Sequence, residues 1–159
     1  MTQQNSNGRH PHDEFAEKAF LGAAAIENSV LDSSNAKPGW FYIPRNQILL
    51  SLMLQLRGDS KPCDPITICD QAQTKGQLDK IGGAAFIEEV LESVPHAHNA
   101  DYYLRIVREK WERRELQRRL AHAQLLAADP AQSVEEIISG LDFDSDFETG
   151  SGDQFPALT

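Results

Sequence analysis

The stretch 75-KGQLDKIGGAAFIEEVLESVPHAHNADYYLRIVREKWERRELQRRL-120 decides the fold. It reads as a turn, a short amphipathic helix, a break at Pro95 and a long charged helix. Gly76 closes a preceding helix, and Gly82-Gly83 frees the backbone to turn into the next. Phe86, Val90 and Val94 recur every four residues, with Ile87 and Leu91 beside them, which predicts one helix face turned to a core. Pro95 stops that helix, and the chain restarts near Asn99. From there to Ala127 neither Gly nor Pro interrupts a run of strong helix formers. Tyr103, Val107 and Trp111 fall four apart, and Leu116, Leu120, Ala123 and Ala127 continue the seam with a small phase shift. Glutamates and arginines fill the other positions, so this helix cannot be wholly buried and its apolar seam needs a partner.

Working outward, Asp13 is the expected N-cap of a first helix, with Glu14 and Glu17 in its opening turns and Phe15, Ala19, Ala23 and Ile26 along one face. Asp32-Ser33-Ser34-Asn35 reads as a turn-rich connector. Trp40-Phe41-Tyr42 is an aromatic knot, read as a packing plug under its loop in preference to a ligand-stacking platform. Pro44 opens a helix through about Leu56, broad in apolar residues and ended by Gly58. Asp64 caps the next, with Pro65 in its first turn and Ile66, Cys69 and Ala72 or Gln73 lining one side. Ser133 and Glu136 have capping-box spacing ahead of a short last helix, which Gly140 weakens. The expected class is all-α, a small helical globule of five to six helices. Residues 1–10 read as a disordered leader and 142–159, which alternate acid with Phe, as a disordered acidic tail.

With 159 residues and 40% hydrophobic content, the chain can bury a core without disulfides or metal. Cys63 and Cys69 follow no secretory signal and read as reduced thiols of a cytoplasmic protein. No stretch is apolar enough for membrane anchoring. A net charge of −9 argues against a chain that coats nucleic acid. The charge is uneven: 105–119 holds seven basic and three acidic residues, whereas no Lys or Arg follows Ser133.

Chemistry is mostly absent. No lysine follows a glycine or precedes Ser or Thr, so the phosphate-cradling G-x-x-x-x-G-K-[ST] loop of a nucleotide motor is missing, and no enzymatic activity or cofactor is expected. His12-Asp13-Glu14 and Pro62-Cys63 echo the zinc deaminase pattern, but Ile66 stands where its second cysteine belongs. His96 and His98 lack a neighbouring ligand at metal spacing, and no metal is expected. The basic helix remains. Its arginines can pair with Glu109, Glu112 and Glu115 three or four residues away, as a solvated face would. Alternatively, Arg108, Lys110, Trp111, Arg113, Arg114 and Arg118 form a partner interface, because Trp and Arg dominate interface hot spots. Direct DNA binding by 105–119 is the third reading, disfavoured by the acidic remainder.

Several pieces in order carry a resemblance: His10-Pro11-His12 before Glu14 and Glu17, Leu21-Gly22, the Trp40-Phe41-Tyr42 loop with Arg45, Asp64-Pro65-Ile66-Thr67, Leu78-Asp79, Gly82-Gly83, Pro95, Asn99, Tyr103, Ile106 to Lys110 and Arg114-Glu115. Over residues 10–128 the series resembles the N-terminal domain of DnaB-type replicative DNA helicases. The resemblance implies a helical globule at 11–128 followed by a helical hairpin. The long helix would be its first arm, and a short helix at 129–141 a stub of the second. It also implies a role in DNA replication within a primosome, docking primase or a replicative helicase, with possible homo-oligomers through the long helix. The short, glycine-broken second arm and the lack of a following motor leave a truncated helicase remnant as an alternative.

Overall fold

The computed structural model describes residues 10–141; the expectations for the leader (1–9) and the tail (142–159) lie outside the described residues. Eight α-helices and one 3-10 turn make up the described chain: α1 (Glu14–Ile26), α2 (Ser29–Ser33), the turn Pro38–Trp40, α3 (Pro44–Gly58), α4 (Pro65–Thr74), α5 (Leu78–Ile81), α6 (Gly83–Glu92), α7 (Ala100–Ala127) and α8 (Val134–Ser139). The all-α class stands. The surplus over five or six helices comes from α2 and α5, each five residues or fewer, too short for apolar periodicity to register. Helix α2 also occupies part of the connector read at 32–35. The chain divides into two compact units, one through Trp111 and the other from Glu112.

The first unit holds the core. Phe20, Leu21, Phe41, Leu49, Leu50, Leu52, Met53 and Ile87 are fully buried in it. On α6, Phe86, Ile87 and Val90 face inward as their spacing requires, and Val94, just beyond the helix end, is buried too. Asp13 caps α1 by accepting from Ala16 N at 3.0 Å, and Asp64 with Thr67 forms a reciprocal capping box on α4. After α4 the Gln77 N–H returns to Ala72 O at 2.8 Å and the Gly76 N–H to Gln73 O at 3.0 Å. This 6→1 and 5→2 pair needs the left-handed backbone that Gly76 supplies at φ 66°.

Two faces differ from the sequence reading. On α1, Phe15 is 77% exposed and Ile26 also faces solvent, while Ala16, Glu17, Phe20, Leu21, Ala23 and Ala24 point inward. The stripe is rotated because α1 packs closely through small residues: a Cβ on Gly22 would sit 2.4 Å from Val90 O of α6. On α4, Ile66 is 81% exposed, and Ile68 and Ala72 take the core positions.

Glu17 is the buried charge of this unit. Its carboxylate accepts from Tyr42 N at 2.6 Å, Ile43 N at 3.3 Å and Asn46 Nδ2 at 2.8 Å. One side chain of α1 thereby satisfies backbone donors leading into α3, where Ile43 offers no side-chain cap. Cys63 is also buried in the core, its Sγ 3.2 Å from Met53 O; burial pushes its thiol up to about 11.

The second unit is built differently. No described residue from Glu112 to Leu141 is buried. Ser133 caps α8 by accepting from Glu136 N at 3.1 Å, while Leu116, Leu120, Leu125, Val134 and Ile138 are exposed.

Candidate interaction face

Helix α7 belongs to both units, and its candidate residues divide between them. In the first, Val107 is buried and holds the helix to the core, with Tyr103 and Trp111 packed against it. Trp40 is the platform: its ring is buried, 6.1 Å from Trp111 and 5.2 Å from the Arg108 guanidinium. Lys37 Nζ lies 5.8 Å from the same ring. An aromatic ring attracts such cations through its negative face, so Trp40 fixes Arg108 on the surface as well as filling the core. Lys110 and Trp111 are half-buried. Trp111 is therefore neither free-standing nor sealed in the core, and offers only part of its surface to a partner. The knot at 40–42 plugs the core as expected through Trp40 and Phe41, while Tyr42 turns outward and stacks on His12 at 4.3 Å.

In the second unit, Arg113 and Arg118 are exposed and Arg114 is half-buried. Glu115 organises its neighbours. Arg118 donates to it from Nε at 3.1 Å and Nη2 at 2.5 Å, and Arg119 Nε donates at 3.1 Å. Hydrogen bonding to Arg118, then to Arg119, outweighs burial and holds the Glu115 carboxyl down at about 2. The pairing expected of a solvated basic face is thus present at Glu115, and it presents the guanidiniums in fixed directions.

The sequence reading missed a feature of the first unit. Asp101, Leu104, Arg105 and Arg108 occupy one stripe of α7, spaced i, i+3, i+4 and i+7. With Trp40, Ser34 and Asn35 they line a pocket of about 260 Å³. Ser34 Oγ is itself sealed from solvent and has no hydrogen-bond partner among the described residues. Only the stripe spacing was visible beforehand; the loop that completes the pocket lies some seventy residues away in sequence.

Among the described residues no group of three or more His, Cys, Asp or Glu is placed to hold a metal. No described helix is long and apolar enough to cross a membrane.

Comparison with known proteins gives a consistent picture. The family model for the DnaB-like helicase N terminal domain matches residues 9–109. The chain is 37% identical over 102 residues to the replicative DNA helicase DnaB of Leifsonia xyli subsp. xyli (strain CTCB07), covering 63% of this chain and 22% of that protein. It is 33% identical over 139 residues to that of Geobacillus stearothermophilus, covering 86% and 30%. The chain thus spans less than a third of the length of these relatives. Among solved structures, the N-terminal domain of DnaB helicase from Mycobacterium tuberculosis superposes with a TM-score of 0.75 at 29% identity, covering 82% of this chain and 96% of that one. A DnaB-like replicative helicase, solved together with its interactions with primase, shares the fold at a TM-score of 0.69 and 19% identity, covering 84% and 32%.

Proposed function

Since this chain belongs to the DnaB-like helicase N-terminal domain family, we propose that it serves cytoplasmic DNA replication as a protein-interaction module, self-associating and docking primase or a replicative helicase. The observation that carries this reading is the missing core of the second unit, where no described residue from Glu112 to Leu141 is buried. A helix pair with apolar side chains exposed and no interior of its own gains stability by pairing with another surface. Residues 11–128 act as the interaction domain and 129–141 as a short second arm. The docking residues are Arg108, Lys110 and Trp111 in the first unit and Arg113, Arg114 and Arg118 in the second. The absence of a lysine-bearing phosphate loop from residues 1–159 supports a role without ATP hydrolysis by this stretch.

The test is titration of purified primase, and separately of replicative helicase, into the purified chain by calorimetry. A saturable complex with either, weakened about tenfold or more by Arg114→Glu with Arg118→Glu, supports the reading; such a loss corresponds to roughly 1.4 kcal/mol. No complex with either protein, from a chain whose circular dichroism is helical, overturns it.

A further inference from the structure

Residues 41–43 lead from the turn Pro38–Trp40 into α3 and belong to neither. Their backbone is held by side chains. Glu17 accepts from Tyr42 N at 2.6 Å and from Ile43 N at 3.3 Å, and Gln47 Nε2 donates to Phe41 O at 2.6 Å. Asn46 Nδ2, at 2.8 Å, fixes the Glu17 carboxylate in turn. Backbone donors in an interior follow their acceptor, because one left unmet is costly. The carboxylate of a single α1 residue therefore sets where this segment runs.

Trp40 is joined to the segment through one planar peptide unit, so a displacement of residues 41–43 reaches its ring. That ring is 7% exposed and lies 6.1 Å from Trp111, tilted by 37°. Aromatic rings so close keep a definite mutual geometry. Trp111, half-buried on α7, thus takes its orientation from Trp40. We propose that Glu17 is a positioning residue of the docking face: through residues 41–43 and Trp40 it sets the direction in which Trp111 meets a partner. At 1% exposure Glu17 touches no partner itself. This role rests on the docking reading above, in which Trp111 belongs to the partner surface.

The chain has two tryptophans, so the part of its aromatic circular dichroism that Trp111→Phe removes is the exciton couplet of the Trp40–Trp111 pair. In the intact chain the couplet should shrink most in Glu17→Ala and less in Glu17→Gln. It should persist in Ile68→Ala, a core truncation in α4, which carries neither Glu17 nor the segment. Each variant is read where far-ultraviolet dichroism shows it folded; if Glu17→Ala does not fold, Glu17→Gln decides alone. A wild-type couplet in Glu17→Gln overturns the proposal and leaves the Phe41 plug as what holds Trp40. Equal loss in Ile68→Ala also sinks it, by making the change one of general stability. Affinity for primase or replicative helicase is the second readout. Glu17→Gln should weaken it about two- to thirtyfold, the range for a residue acting through its neighbours, with little further effect in the Trp111→Phe background. Additive losses count against the proposal as well. A chain that binds neither protein defeats the docking reading, while the couplet still decides whether Glu17 orients Trp111.

Discussion

Glu17 shows how one buried group can organise a fold. It is 1% exposed, and its carboxylate receives two backbone N–H groups and the Asn46 amide. Removing it leaves buried donors with no acceptor, and an unmade bond of this kind costs more than a made one contributes. Glu17→Ala should destabilise the protein by about 2–3 kcal/mol in urea denaturation, the scale of hydrogen bonds to charged groups. Glu17→Gln keeps an acceptor and should cost less; equal losses would mean that burial, not donor satisfaction, sets the penalty. Sequence placed Glu17 in the first turn as a favourable charge near a helix N-terminus. Its actual partners lie 25 to 29 residues further on, and no local pattern reports such a distance.

Among the helices, α6 and α1 mark the limits of reading spacing. On α6, Phe86, Ile87 and Val90 are large and regularly placed, so they could only define the buried side. Helix α1 carries Phe20 and Leu21 inward but also Gly22, Ala23 and Ala24, and the close approach of Val90 selects the small residues. Hydropathy ranks Phe15 and Ile26 as core; the requirement for closeness overrides it. Gly22→Ala should therefore destabilise the fold by about 1–3 kcal/mol, the cost of overpacking a tight contact, and lower the thermal midpoint. Gly39→Ala, which meets nothing within 4 Å, is the control and should change little. On α7 the test is pH. The Glu115 carboxyl lies at about 2 in the folded protein against an ordinary 4.5. A lowered value stabilises the fold at neutral pH, and that contribution is lost as pH falls from 4.5 towards 2. Glu115→Gln should flatten the acid limb of a stability-versus-pH curve over that window; an unchanged limb would place the titration elsewhere. The pairing itself was legible in the three- and four-residue spacing of Glu115 with Arg118 and Arg119.

At the scale of the whole molecule, the two units differ in what holds them together. The first buries an extensive apolar core, and the second buries no described residue. The sequence announced this contrast on α7, whose seam passes from Val107, at 1% exposure, to Leu120 at 52%. It could not say which part of the seam the chain covers itself, because the covering residues, Trp40 among them, come from a distant loop. Exposed Leu116, Leu120 and Ile138 lose contact with water only if a second surface covers them, at roughly 25 cal/mol per Å² of apolar area buried. Sedimentation velocity should accordingly show an average mass that rises with protein concentration. Leu120→Glu and Ile138→Glu place charges on those surfaces and should return the chain to a monomer with unchanged helicity, because neither position supports the core of the first unit. A wild-type chain that stays monomeric at all accessible concentrations would mean that the apolar surface of the second unit is reserved for a different protein. A monomer that still binds primase would identify that protein directly.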